Sequence, residues 1–191
     1  MLPKFTAFDA LNNESVYNYG EIYQLEETEN YTRLEIGAST DQVQMMLELS
    51  ACLDAPYFVL YVLVTPRDGM SVSGRYQSPP IESRTALVDF FLDFKEPIET
   101  DGRHHVWIGN ANNDGLIIYD KHNVIYAYGP IDKYLTVLLN QGYKQEEFDF
   151  PYPHGHHFHN ENDVAIRELL AYWDWQQFPL VAGEDEEYTD E

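Results

Sequence analysis

Four of the seven histidines stand within six positions, in Pro153-His-Gly-His-His-Phe-His-Asn160. Imidazole is a common ligand for zinc, nickel, copper and iron, and it moves protons near neutral pH. On extended backbone, alternate side chains share a side, so His154 pairs with His156 and His157 pairs with His159. On a helix the pairs are His154 with His157 and His156 with His159. Gly155, Pro151 and Pro153 favour the extended or turned form. Either backbone aims only two imidazoles at one point, so a third ligand must come from elsewhere. Glu161 and Asp163 are the nearest oxygens in the chain. The expected ion is a divalent transition metal such as zinc. Its candidate ligands are His154, His156, His157, His159 and Glu161, with a carboxylate as base on bound water. The competing reading is a histidine-rich surface loop stacked on Tyr152 and Phe158.

Known metal motifs test the loop by spacing. It resembles the HxHxDH pattern of metallo-β-lactamases at His154, His156 and His159, but Phe158 holds the aspartate position and no histidine follows. It is more similar to the first cupin motif, with Glu161 beyond His154-x-His156. The flanking glycines and the second motif of that family are missing. HExxH, P-loop and GxGxxG arrangements are absent, and the lone Cys52 rules out a zinc ribbon.

Other groups could join the chemistry. Asp120-Lys-His122-Asn123 reads as a hairpin tip, where these residue types are first of all turn formers. If that tip meets the histidine loop, Asp120 or His122 supplies the missing ligands. Arg103-His104-His105 enters a strand that sends one imidazole inward and one outward. Arg75, next to Tyr76, reads either as an ion pair within the chain or as a bidentate contact to an anionic ligand or partner. No GxSxG elbow surrounds any serine, which removes the usual serine-hydrolase signature.

The elements that must position these groups follow from periodicity. Alternation predicts strands over 16–25 and 31–36, after an N-terminal arm over 1–14. Helical spacing of Val43, Met46, Leu47 and Leu53 predicts a helix over 39–53, ended by Pro56. Residues 57–65 are apolar on both faces, which predicts a central strand covered on both sides. A short strand is expected near Arg75, then a helix over 82–94. Strands over 103–108, 115–119 and 124–128 are joined by Asn-, Asp- and Gly-rich turns, as in an antiparallel meander. Helices over 131–140 and 162–177 complete the chain, with the acidic segment 183–191 as a disordered tail. Consecutive strands without strict helix alternation predict a single α+β domain over 1–182, a mainly antiparallel mixed sheet flanked by about four helices. The stretch 114–143 resembles part of a class of bacterial immunity proteins, over about thirty residues and on no diagnostic motif, so no function is carried over from it.

The charge is the strongest global signal: 33 acids oppose 11 bases, a net of −22. Such a surface repels nucleic acid and anionic membranes, and it attracts cations or a basic protein. Fifteen tyrosines suit a recognition surface. One cysteine asks for no oxidising compartment, and neither a leader-like apolar run nor a membrane span stands in the sequence, so a cytoplasmic protein is expected. Two functions are expected to compete. One is a non-catalytic, immunity-like module that binds or inhibits a basic protein. The other is a metal-binding protein or metal-dependent enzyme built on the histidine loop.

Overall fold

The computed structural model describes residues 3–67, 71–183 and 185. Strands β1 (Phe5–Phe8), β2 (Glu14–Val16), β3 (Ile22–Glu27) and β4 (Thr32–Gly37) lead into helix α1 (Gln42–Ser50). Strands β5 (Tyr57–Leu63) and β6 (Gly74–Gln77) precede helices α2 (Arg84–Asp93) and α3 (Lys95–Thr100). The meander β7 (His104–Asn110), β8 (Leu116–Tyr119) and β9 (Val124–Tyr128) is followed by α4 (Ile131–Asn140). The chain closes with β10 (Lys144–Gln145), β11 (His154–His156), α5 (Asp163–Tyr172) and β12 (Gln176–Phe178).

The fold is α+β. Nine strands form one sheet in the order β10-β3-β4-β9-β8-β7-β5-β6-β12. Every pairing in it is antiparallel except β10 with β3. A second sheet, β11-β1-β2, is small and antiparallel. Period-two alternation sorts the faces of the large sheet. Leu34, Ile36, Val59, Tyr61, Val106, Ile108, Ile117 and Ala127 are fully buried on one face, in the cluster that holds Met46 of α1, Phe90 of α2 and Leu138 of α4. The opposite face carries Arg33, His105, Trp107, Ile118 and Tyr126, and it lines a cleft.

Several elements differ from the sequence expectation. The stretch read as an arm contributes β1, whose Phe5 is completely buried. The first predicted strand is two strands, β2 and β3, because Gly20 and Glu21 take positive φ and turn the chain between them. A fifth helix, α3, follows α2. The last helix stops at Tyr172, where Trp173 turns extended and stacks on Phe90 at 4.2 Å, and β12 then pairs with β6. Strand β5 lies inside the sheet, flanked by β7 and β6, but its second face is only partly covered, since Phe58 and Leu60 stay half-buried. Within the segment read as a tail, Asp185 is buried and forms an ion pair with Arg75; residue 184 and residues 186–191 lie outside the described residues. No helix among the described residues is long and apolar enough to cross a membrane.

Candidate metal centre

The Asp120–Asn123 turn between β8 and β9 is built by one carboxylate. Asp120 Oδ1 accepts from the backbone N–H of His122 at 2.9 Å and of Val124 at 3.0 Å. Asn123 takes the left-handed conformation that such a tight connection needs. The other oxygen, Oδ2, lies 2.7 Å from His122 Nδ1. Burial pushes the Asp120 carboxyl up, but its bond to His122 and the nearby imidazoles outweigh burial and hold it below the ordinary carboxylate range. The ionised oxygen thus accepts a hydrogen bond from His122 Nδ1–H, which leaves Nε2 as the lone-pair nitrogen.

The histidine loop reaches this turn through the small sheet. Strand β11 pairs with β1, with His156 opposite Phe5 and His154 opposite Ala7. Two residues apart on a strand, His154 and His156 share one face. His154 Nδ1 donates to the Pro151 carbonyl at 3.2 Å, which leaves its Nε2 as the ligand atom. Nitrogens of His122, His154 and His156 all lie within 4.8 Å of one another. A tetrahedral ion with bonds of about 2.0–2.1 Å sets its ligand atoms about 3.3–3.4 Å apart, so a contraction of at most about 1.5 Å would complete the site. Phe5 packs under all three rings, with centroids 5.6 Å from His122, 5.4 Å from His154 and 5.7 Å from His156. Phe150 adds a second apolar wall, 5.0 Å from His122 and 5.3 Å from His154. An apolar collar of this kind lowers the local dielectric and strengthens the bond from nitrogen to cation.

The other candidates take other places. His157 projects to the opposite side of the strand, with Nε2 at 2.6 Å from Glu14 and 3.1 Å from Thr6. His159 stacks parallel to His157 at 6.4 Å, and its backbone N–H donates to Asp101. Glu161 is exposed on a 3-10 turn, Asn160–Asn162, outside the three-imidazole cluster. Arg75 makes a two-pronged contact to Asp185, at 2.7 Å and 2.9 Å, with its guanidinium 5.2 Å above the Trp107 ring. The Tyr76 hydroxyl donates to the Val72 carbonyl. The pair His104 and His105 splits as alternation requires. His104 is buried against Tyr61, whose hydroxyl lies 3.1 Å from Nδ1, and burial pulls it down to about 3. His105 faces the cleft, and burial pulls it down to about 4, so its ring is neutral at pH 7.

Phe5, Phe150 and Trp107 were not legible as site residues. The alternation of β7 was the one usable signal, since it sets His105 and Trp107 on a common face. The cleft holds about 690 Å³, and His122 belongs both to its wall and to the imidazole cluster. Three imidazoles on one ion would leave a coordination position for water or a substrate oxygen, the arrangement that distinguishes reactive zinc sites from closed structural ones. Comparison with known family models, curated proteins and solved structures gave no match for this chain, so the geometry alone defines the centre.

Proposed function

We propose that this chain is a divalent transition-metal protein, with zinc as the favoured ion, held by His122, His154 and His156 beside an open cleft. The observation that carries the reading is the convergence of three imidazoles from two distant parts of the chain. The Asp120–His122 bond supports it, because a carboxylate behind a ligating histidine fixes the tautomer and raises its basicity. The charge of −22 adds to it by concentrating cations near the surface. With one position open, the ion would act as a Lewis acid or activate a water near neutral pH.

Zinc titration of untagged protein tests this reading. One ion per chain is expected, with that stoichiometry lost in His122→Ala and His156→Ala and kept in His159→Ala. Asp120→Asn should weaken affinity by about 10- to 100-fold without changing the stoichiometry. Equal zinc uptake by the wild type and His156→Ala would sink the proposal.

A second reading rests on the charge alone: the acidic surface docks a basic protein rather than nucleic acid or a membrane. Part of the acidity is already committed, since Glu26 and Glu35 flank Arg33, and Asp101 and Asp163 flank Arg103. A cytoplasmic setting belongs to the same proposal, as the single Cys52 needs no oxidising compartment.

A further inference from the structure

Of the three clustered imidazoles His122 alone lines the cleft, and the rest of the cleft has its own chemistry. Its volume of about 690 Å³ suits a small organic molecule. The strand register arranges its floor. Trp107 is the Cα partner of Ile118, and Ile118 is the partner of Tyr126. These three side chains form a row across β7, β8 and β9, on the face turned from the helices. Neighbouring strands stand about 4.8 Å apart, so Trp107 and Tyr126 flank Ile118 with about 10 Å between their backbones. The row thus sets an aliphatic floor between two aromatic residues, with the Arg75 guanidinium 5.2 Å from the Trp107 ring and the Arg33 guanidinium 4.7 Å from the Tyr126 ring.

One pair step nearer the turn on the same face lies His105, between this row and the Asp120–His122 end. Its Nε2 and the indole Nε1 of Trp107 are both shielded from water and have no hydrogen-bond partner among the described residues. Buried polar atoms are almost always paired, so two such nitrogens along one cleft floor mark a place where a polar partner is missing. The cleft thus runs from this row, past an imidazole, to a histidine that also faces the proposed ion.

We propose that the cleft binds an aromatic carboxylate or its close chemical equivalent, with the ring between Trp107 and Tyr126 and the oxygen head on the ion at His122, His154 and His156. His105 serves as a positioning residue that contacts the head group. The reading deepens the proposed metal function and rests on it. A single anionic head matches the design. A polyanion would meet the repulsion of a chain at −22, whereas one carboxylate is neutralised by the ion it touches. An aliphatic acid would reach the ion but leave the two aromatic residues unused.

Two hydroxamates separate the parts of this proposal, because both carry the same metal-seeking head and only one has a ring. Zinc-loaded full-length protein is titrated calorimetrically with benzohydroxamate and with acetohydroxamate. Benzohydroxamate is expected to bind about tenfold more tightly or better. Trp107→Ala should erase most of that difference, with acetohydroxamate affinity and zinc stoichiometry unchanged. Tyr126→Ala provides a second variant if the first fails to fold, and the wild-type comparison needs no variant. Equal affinity of the wild type for the two compounds, or failure of a zinc-loaded chain to bind either, overturns the cleft proposal and leaves the metal reading standing. A chain that takes up no zinc overturns the metal reading first and this one with it.

Discussion

Lys4 shows how far this fold bends the chemistry of a single side chain. It is fully buried, with its amine 3.3 Å from the centre of the Tyr119 ring and 3.4 Å from the Ile98 carbonyl. Burial pulls its pKa from the ordinary 10.5 down to about 7, against the opposing pull of Asp120 and Glu99. In the unfolded chain the amine keeps its proton up to the ordinary value. Between pH 7 and 10.5 the unfolded state therefore holds more protons than the folded one, and stability rises with pH. From pH 7 to 9 the gain from this group is about 2–3 kcal/mol. Urea midpoints at the two pH values should show it, and Lys4→Met should be more stable at pH 7 and lack that rise. A midpoint that falls between pH 7 and 9 in the wild type, or a Lys4→Met protein as pH-sensitive as the wild type, would refute the assignment. Nothing in the sequence foretold this burial, since lysine near a terminus is normally solvated. The turn residues were more readable. Asp120, Lys121, His122 and Asn123 announce a hairpin tip by type, and only the meeting with β11 was hidden.

The small sheet explains why that meeting was hidden. Strand β1 pairs with β11, and Phe5 opposes His156 across most of the length of the chain. Local alternation cannot report such a pairing, because four residues, Phe-Thr-Ala-Phe, carry too short a pattern. The large sheet was legible for the opposite reason. The strands over β7, β8 and β9 are joined by turns whose residue types dictate antiparallel neighbours, and the apolar faces of α1, α2 and α4 match them. The false helix over the last strand failed where tertiary packing beat periodicity. Trp173 stacks on Phe90 of α2, and Trp175 Nε1 donates to the Leu169 carbonyl at 3.0 Å, so one ring packs on α2, the other folds back on α5, and the helix ends. Phe5 also supplies a test of the small sheet as the scaffold of the centre. Phe5→Ala removes a fully buried ring and should cost about 3–5 kcal/mol of stability by urea unfolding. It should also lower zinc affinity, because the three imidazoles lose their common support. Phe5→Leu should recover most of the stability. A Phe5→Ala protein that unfolds at the wild-type midpoint would show that β1 is not packed as described.

Charge acts on the molecule as a whole and can be separated from the centre by the choice of cation. With a net of −22, the folded chain repels itself, and added salt should stabilise it by screening. Magnesium ions screen as well, yet they prefer oxygen ligands and gain little from three imidazoles. Zinc at about one hundred times its dissociation constant should add about 2.7 kcal/mol beyond screening, since it binds the folded centre. Thermal unfolding in matched ionic strength separates the two effects. Magnesium should raise the midpoint of the wild type and of His156→Ala by the same amount, whereas zinc should raise the wild type further and treat His156→Ala like magnesium does. The surface charge then sets a background that any cation can lower, and the imidazoles set a selectivity that only a nitrogen-seeking ion can use. If zinc and magnesium raise the wild-type midpoint equally, the carboxylate surface rather than the imidazole cluster is what binds cations, and the docking reading gains at the expense of the metal one.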